Sequence, residues 1–119
     1  MEYKQAMDTD KKPVDAENSV LALAKVLQAF ADPVRLEIVR QLAETPDKAC
    51  GSFGIDKPKS TMSHHFNVLR TSGILGFEKR GSTLVNYIER ERLHASFPGL
   101  LDSILLNVTR PGRPSRRRR

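Results

Sequence analysis

The chain has 119 residues, a net charge of +6, 39% hydrophobic and 29% charged residues, and a single cysteine, Cys50. This length suits one small domain, and one cysteine excludes an intrachain disulfide or a Cys-Cys zinc motif within the chain. No apolar run approaches the roughly 18 residues needed to cross a membrane, and no charged-then-apolar leader opens the chain, so a cytoplasmic protein with no membrane partner is expected.

Residues 1–15 are polar and lack sustained periodicity, which predicts a flexible N-terminal arm. An ordered domain is expected over 16–108. The stretch "AENSVLALAKVLQAFAD" predicts a helix with Val20, Leu23, Leu27 and Phe30 on one stripe, capped by Asp15, Asn18 or Ser19. "DPVRLEIVRQLAETP" predicts a second helix. Asp32 suits its cap and Pro33 its first position, Leu36, Val39 and Leu42 form the apolar face, Arg35, Arg40 and Glu44 lie outside, and Pro46 ends it. "DKACGSFGIDKP" holds at most a short helical turn.

Lys59 to Ser72 predicts a helix stopped by Gly73. At about 100° per residue, Ser60, Ser63, His64, Asn67 and Thr71 fall within about 60° of one line, while Met62, His65, Phe66 and Leu69 lie opposite. The adjacent histidines therefore diverge, a poor start for a metal pair. The period then changes. Leu75 and Phe77, followed by Leu84, Tyr87 and Ile88, flank "KRGST" as in a β-hairpin. "RERLHASFPGLLDSILLNV" returns to helical spacing, with Pro98 near a helix start or at a kink. The apolar excess of the first and last helices (Leu23 and Leu27; Leu101, Ile104, Leu105 and Val108) predicts a dimer interface. Residues 109–119 are expected to form a disordered basic tail.

The charge is uneven. Residues 110–119 carry six arginines and no acid, and residues 57–83 carry five bases against Glu78, while the flanking segments are mildly acidic. A basic segment on a near-neutral body suggests a polyanionic partner. An ordinary solvated face is the plainer reading of any charge run. The short hydrogen-bonding side chains of the central helix favour the former. They let the helix backbone approach closely, and Ser, Thr, His and Asn can bond base edges in a major groove wide enough for one helix. Candidate base readers are Ser60, Thr61, Ser63, His64 and Asn67. Candidate phosphate and wing contacts are Lys57, Lys59, His65, Arg70, Lys79, Arg80, Ser82 and Thr83. His65, on the inner side, either supports packing or bonds a phosphate at the edge.

"FADPVRLEIVRQLAE" followed by "KSTMSHHFNVLRTSGILGFEKRGSTLVNY" resembles the ArsR-type (ArsR/SmtB) winged helix-turn-helix repressors. The opening pattern matches at Asp32, Pro33, Arg35, Leu36 and Ile38, and the reading-helix pattern at Ser60, Ser63, His65 and Leu69, with Phe66 where Leu is usual. The resemblance implies a mainly α fold with a β-hairpin wing, and a homodimer through the first and last helices. It implies a near-palindromic double-stranded operator with half-sites about 34 Å apart, and repression released by a signal. Metal-sensing relatives use a Cys-x-Cys in the short third helix or Asp and His on the last helix. Here the first place holds only Cys50, and His94 and Asp102 are about 12 Å apart on a continuous helix. No metal site and no cofactor are expected. A redox switch at Cys50 and a small apolar effector between dimer helices both stay compatible. No Gly-rich phosphate loop, nucleophile elbow or paired carboxylates are present, so no enzyme is expected. The alternative is a winged-helix protein-interaction module, which would fail to bind random duplex DNA at low salt.

Overall fold

The computed structural model describes residues 19–108. The expected N-terminal arm, the caps Asp15 and Asn18, and the basic tail lie outside them. Helix α1 spans Ser19–Phe30, α2 Pro33–Glu44, α3 Lys59–Thr71, α4 Arg90–Ser96 and α5 Leu100–Val108. Strands β1 (Lys48–Ala49), β2 (Leu75–Arg80) and β3 (Thr83–Ile88) form one antiparallel sheet in the order β1-β3-β2.

Helix α2 starts where its cap dictates. Asp32 Oδ1 accepts from the backbone amides of Val34 (2.8 Å) and Arg35 (3.2 Å), and Pro33 occupies the first turn. Burial pushes the Asp32 carboxyl up, but the two amide hydrogen bonds outweigh it and its pKa is lowered. The helix buries Ile38, Val39 and Leu42, whereas Leu36 is half-buried. Ile38, outside the expected apolar face, is fully buried in the core.

The face of α1 differs from the expected stripe. Val26, Ala29 and Phe30 are buried, while Val20 and Leu21 are 77% and 73% exposed and Leu23 and Leu27 also face solvent. The loop after α2 carries a strand that periodicity did not reveal. Lys48 and Ala49 pair with Asn86 and Val85, and Cys50–Ser52 follow as one turn of 3-10 helix. A two-residue strand has no period to detect.

Strands β2 and β3 pair from Leu75↔Ile88 to Arg80↔Thr83, leaving Gly81 and Ser82 as the tip. Gly81 has φ 64, a conformation that glycine adopts without strain. The C-terminal helical stretch is two helices. Phe97, Pro98 and Gly99 separate α4 from α5, and Gly99 sits at φ 83. The core gathers Ile38, Leu42, Phe53, Phe66, Leu69 and Ile74 from four parts of the chain, with Leu93 and Leu101 closing it from α4 and α5.

Candidate nucleic-acid interface

Helix α3 turns Ser60, Ser63, His64, Asn67 and Thr71 outward, leaves Thr61 half-buried, and buries His65, Phe66 and Leu69. The amphipathic pattern places every one of these side chains, because a helix packed on one face has no other solution. Lys57 and Lys59 stand exposed at its start, and neither forms an ion pair among the described residues.

His65, expected either in the packing or at a phosphate, is buried in the packing. It is 8% exposed, and its Nδ1 lies 3.1 Å from Arg35 Nη1. A guanidinium only donates, so Nδ1 is the acceptor and the ring proton sits on Nε2. Burial, opposed by Asp32 and reinforced by Arg35, His64 and Lys57, lowers the His65 pKa. Nor does Arg35 simply face solvent. Its Nε donates to the Ala29 carbonyl at 2.7 Å and its Nη2 to that of Gln28 at 3.2 Å. One guanidinium thus caps the end of α1, where a cation complements the helix dipole, and ties α1 and α2 to α3.

Arg70, expected at a phosphate, is committed within the fold. Its Nε (3.2 Å) and Nη2 (2.7 Å) donate to Asn86 Oδ1, and Nη2 also reaches Cys50 Sγ at 3.3 Å. The guanidinium carbon lies 4.7 Å from the Phe77 ring centroid and 5.6 Å from that of Phe66. Asn86 is wholly buried, and its Nδ2 lies 3.3 Å from Cys50 Sγ and 3.4 Å from the Lys48 carbonyl. This cluster joins α3, the hairpin and the 3-10 turn. Sequence reasoning missed Asn86. Its one signal was a carboxamide at a strand position where the alternation calls for an inward side chain.

At the wing tip, Lys79, Ser82 and Thr83 are exposed. Arg80 is half-exposed but shared between Glu78 (2.6 Å) and Asp47 (3.3 Å), so less of its charge is available than the sequence suggested. His94 and Asp102 stand on separate helices, α4 and α5. The break at Pro98 and Gly99 divides the two helices, and His94 and Asp102 line one cleft with Arg90 and Glu91. Among the described residues, no three His, Cys, Asp or Glu side chains gather as a metal site.

The expected dimer face is also redistributed. Leu101 is 6% exposed and belongs to the monomer core, Ile104 and Leu105 pack half-buried against that core, and Val108 is half-buried. Among the described residues, the large apolar side chains left open are Val20, Leu21, Leu23 and Leu27 on α1, Phe77 on the hairpin and Leu106 on α5.

A three-helix unit with a polar outer helix, flanked by a basic-tipped hairpin, defines a winged helix-turn-helix protein. Residues 32–75 match the family described as bacterial regulatory protein, arsR family. The chain is 40% identical over 73 residues to the HTH-type transcriptional regulator MJ1325 of Methanocaldococcus jannaschii, covering 59% of this chain and 81% of that protein. Similar solved structures include the transcriptional repressor PagR of Bacillus anthracis (TM-score 0.61, 24% identity, 76% of this chain and 98% of that one). Another is the homodimeric winged helix-turn-helix DNA-binding domain Mb0332 of Mycobacterium bovis (TM-score 0.61, 21% identity, 79% and 87%). The chain belongs to the ArsR family. It is a DNA-binding transcriptional regulator, and the family and relatives it matches are regulators of transcription. No helix among the described residues is long and apolar enough to cross a membrane.

Proposed function

We propose that the protein is a cytoplasmic repressor that binds a near-palindromic operator as a homodimer and releases it in response to a signal other than a family-type metal site. The observation that carries this reading is the exposed Ser60, Ser63, His64 and Asn67 face of α3, bordered by Lys57 and Lys59. In this reading Ser60, Ser63, His64 and Asn67 meet base edges, with Thr61 at their margin. Lys57, Lys59, Lys79, Ser82 and Thr83 hold phosphates, with Arg80 contributing once it leaves its acids. The open apolar residues of α1 and α5 support the dimer, and the homodimeric relative from Mycobacterium bovis agrees with it.

The test measures binding to the protein's own upstream DNA and to random duplex across a salt series. His64→Ala should cost about 1–3 kcal/mol on the operator and relax specificity at one position. Lys79→Ala should weaken both DNAs alike and flatten the salt dependence. Unchanged operator affinity and selectivity in His64→Ala would remove that residue from the reading face. Failure of the wild-type protein to bind any duplex at low salt would favour a protein-interaction module.

A further inference from the structure

Between the first turns of α3 and the loop that follows β1 lies a cavity of about 450 Å³. Phe53 and Phe66, core residues only 5% and 3% exposed with ring centroids 5.3 Å apart, form its floor, and the half-buried Ile55 and Met62 form its apolar wall. Lys57, Lys59 and Arg70 also line it, and no acidic side chain does, although Asp56 lies next in the chain to Lys57. Arg70 is held by Asn86 and Cys50. The two lysines have no such engagement: both are exposed and neither is ion-paired among the described residues.

An apolar wall with cations on one side is complementary to a molecule with an apolar body and an anionic end. The volume falls in the range of roughly 300–1,000 Å³ typical of small-ligand pockets. Burying the body against this wall removes apolar surface from water, while the charged end stays at the lysines, where its desolvation is small. We propose that this cavity binds a small amphipathic anion, an aromatic carboxylate or sulfonate, with its rings against Ile55 and Met62 over the Phe53 and Phe66 floor and its anionic group at Lys57 and Lys59. This site is separate from the apolar face of α1 and α5. It also shares residues with the DNA surface. Ser63 lines the cavity, and Lys59 is one of the cations assigned to phosphate. The occupant and DNA therefore compete, and the anion acts as an inducer. This second step rests on the DNA-binding reading above; the binding site itself does not.

The test uses the fluorescent anion 1-anilinonaphthalene-8-sulfonate and its uncharged analogue N-phenyl-1-naphthylamine. They share an apolar body and differ by the sulfonate. The wild-type protein should bind the anion saturably and at least tenfold more tightly than the analogue. A Cβ at Gly51, which lines the cavity, meets nothing within 4 Å, so Gly51→Leu should fold, occupy space there and weaken both probes at least fivefold. Lys57→Gln with Lys59→Gln, at exposed positions, should weaken only the anion. Equal affinities for the two probes would overturn the anionic class, and unchanged anion binding in either variant would overturn the site. In DNA competition, the anion should displace duplex from wild-type protein but not from Gly51→Leu. Saturation with the anion without loss of DNA would overturn the inducer role. Absence of any DNA binding by the wild-type protein would overturn the regulator reading alone, and the probe affinities would still decide the site.

Discussion

The imidazole of His65 accepts the Arg35 hydrogen bond only while Nδ1 carries no proton. Its pKa lies below the ordinary 6.5, chiefly through burial. The unfolded chain therefore takes up this proton at higher pH than the native protein does. The stability contributed by neutral His65 is fully present above 6.5 and is lost as pH falls from there through the lower native value. Urea unfolding on either side of that pH should show wild-type stability falling in acid more steeply than that of His65→Gln; parallel losses would assign the acid sensitivity elsewhere. Asn86 makes a second point at this scale. Replacing it with Ala strips two hydrogen bonds from a half-buried guanidinium, which should cost about 1–3 kcal/mol. The same variant should lower DNA affinity without removing a DNA contact, because Arg70 then no longer fixes α3 against the hairpin. An unchanged denaturation midpoint would show that Asn86 is replaceable by water.

Elements in this fold are held at fixed angles by a few close approaches. Gly76 in β2 is one of them. A Cβ there would stand 2.6 Å from the Tyr87 ring and from the Glu89 carboxylate, so the aromatic ring lies directly over the glycine backbone. Gly76→Ala must push the Tyr87 ring as well as the more flexible Glu89 carboxylate, and should cost about 1–3 kcal/mol. A lowered urea midpoint with an unchanged slope would confirm strain within an intact native state. The break between α4 and α5 is a second such device. Pro98 lacks an amide proton and Gly99 accepts a positive φ, so one helix ends and a second begins, with Leu101 of α5 in the core. The sequence placed Pro98 near a helix start or at a kink, and the structure has two separate helices there.

At the scale of the whole molecule, two features bear on assembly and DNA binding. Val20, Leu21, Leu23 and Leu27 on α1 and Leu106 on α5 are exposed apolar side chains, and their burial in a partner would remove apolar surface from water. Leu27→Glu should give monomers in sedimentation at micromolar concentration, where the wild-type protein should sediment as a dimer. A monomeric wild type would refute the dimer. Leu101→Ala is the contrasting case, since Leu101 belongs to the monomer core, and its effect should be lost stability instead of dissociation. The six arginines of residues 110–119 form the second feature. Each phosphate they neutralise should add about 0.9 to the slope of log K against log salt. Ending the chain at Thr109 should therefore weaken operator and random DNA by a similar factor and flatten both slopes. An effect on the operator alone would show that the segment reads sequence.

The helices α2 and α3, the hairpin and its Gly turn, and the polar face of α3 were legible from the sequence, because each depends on local rules. A cap with proline, a 3.6-residue period, a 2-residue period and a glycine at positive φ are all written within a few neighbours. Tertiary structure alone decided which charged and polar groups are spent inside the fold. Arg35, His65 and Arg70 look available in the sequence, yet each is engaged by residues distant along the chain: Arg35 with His65, and Arg70 with Cys50 and Asn86. The same holds for the apolar side chains. Periodicity marked Leu101 and Leu27 alike as hydrophobic, and only the packing of α5 against α2 and α4 buried the first and left the second open. Hydrophobicity fixes that a side chain seeks cover, whereas the three-dimensional path of the chain fixes whether its own domain supplies it.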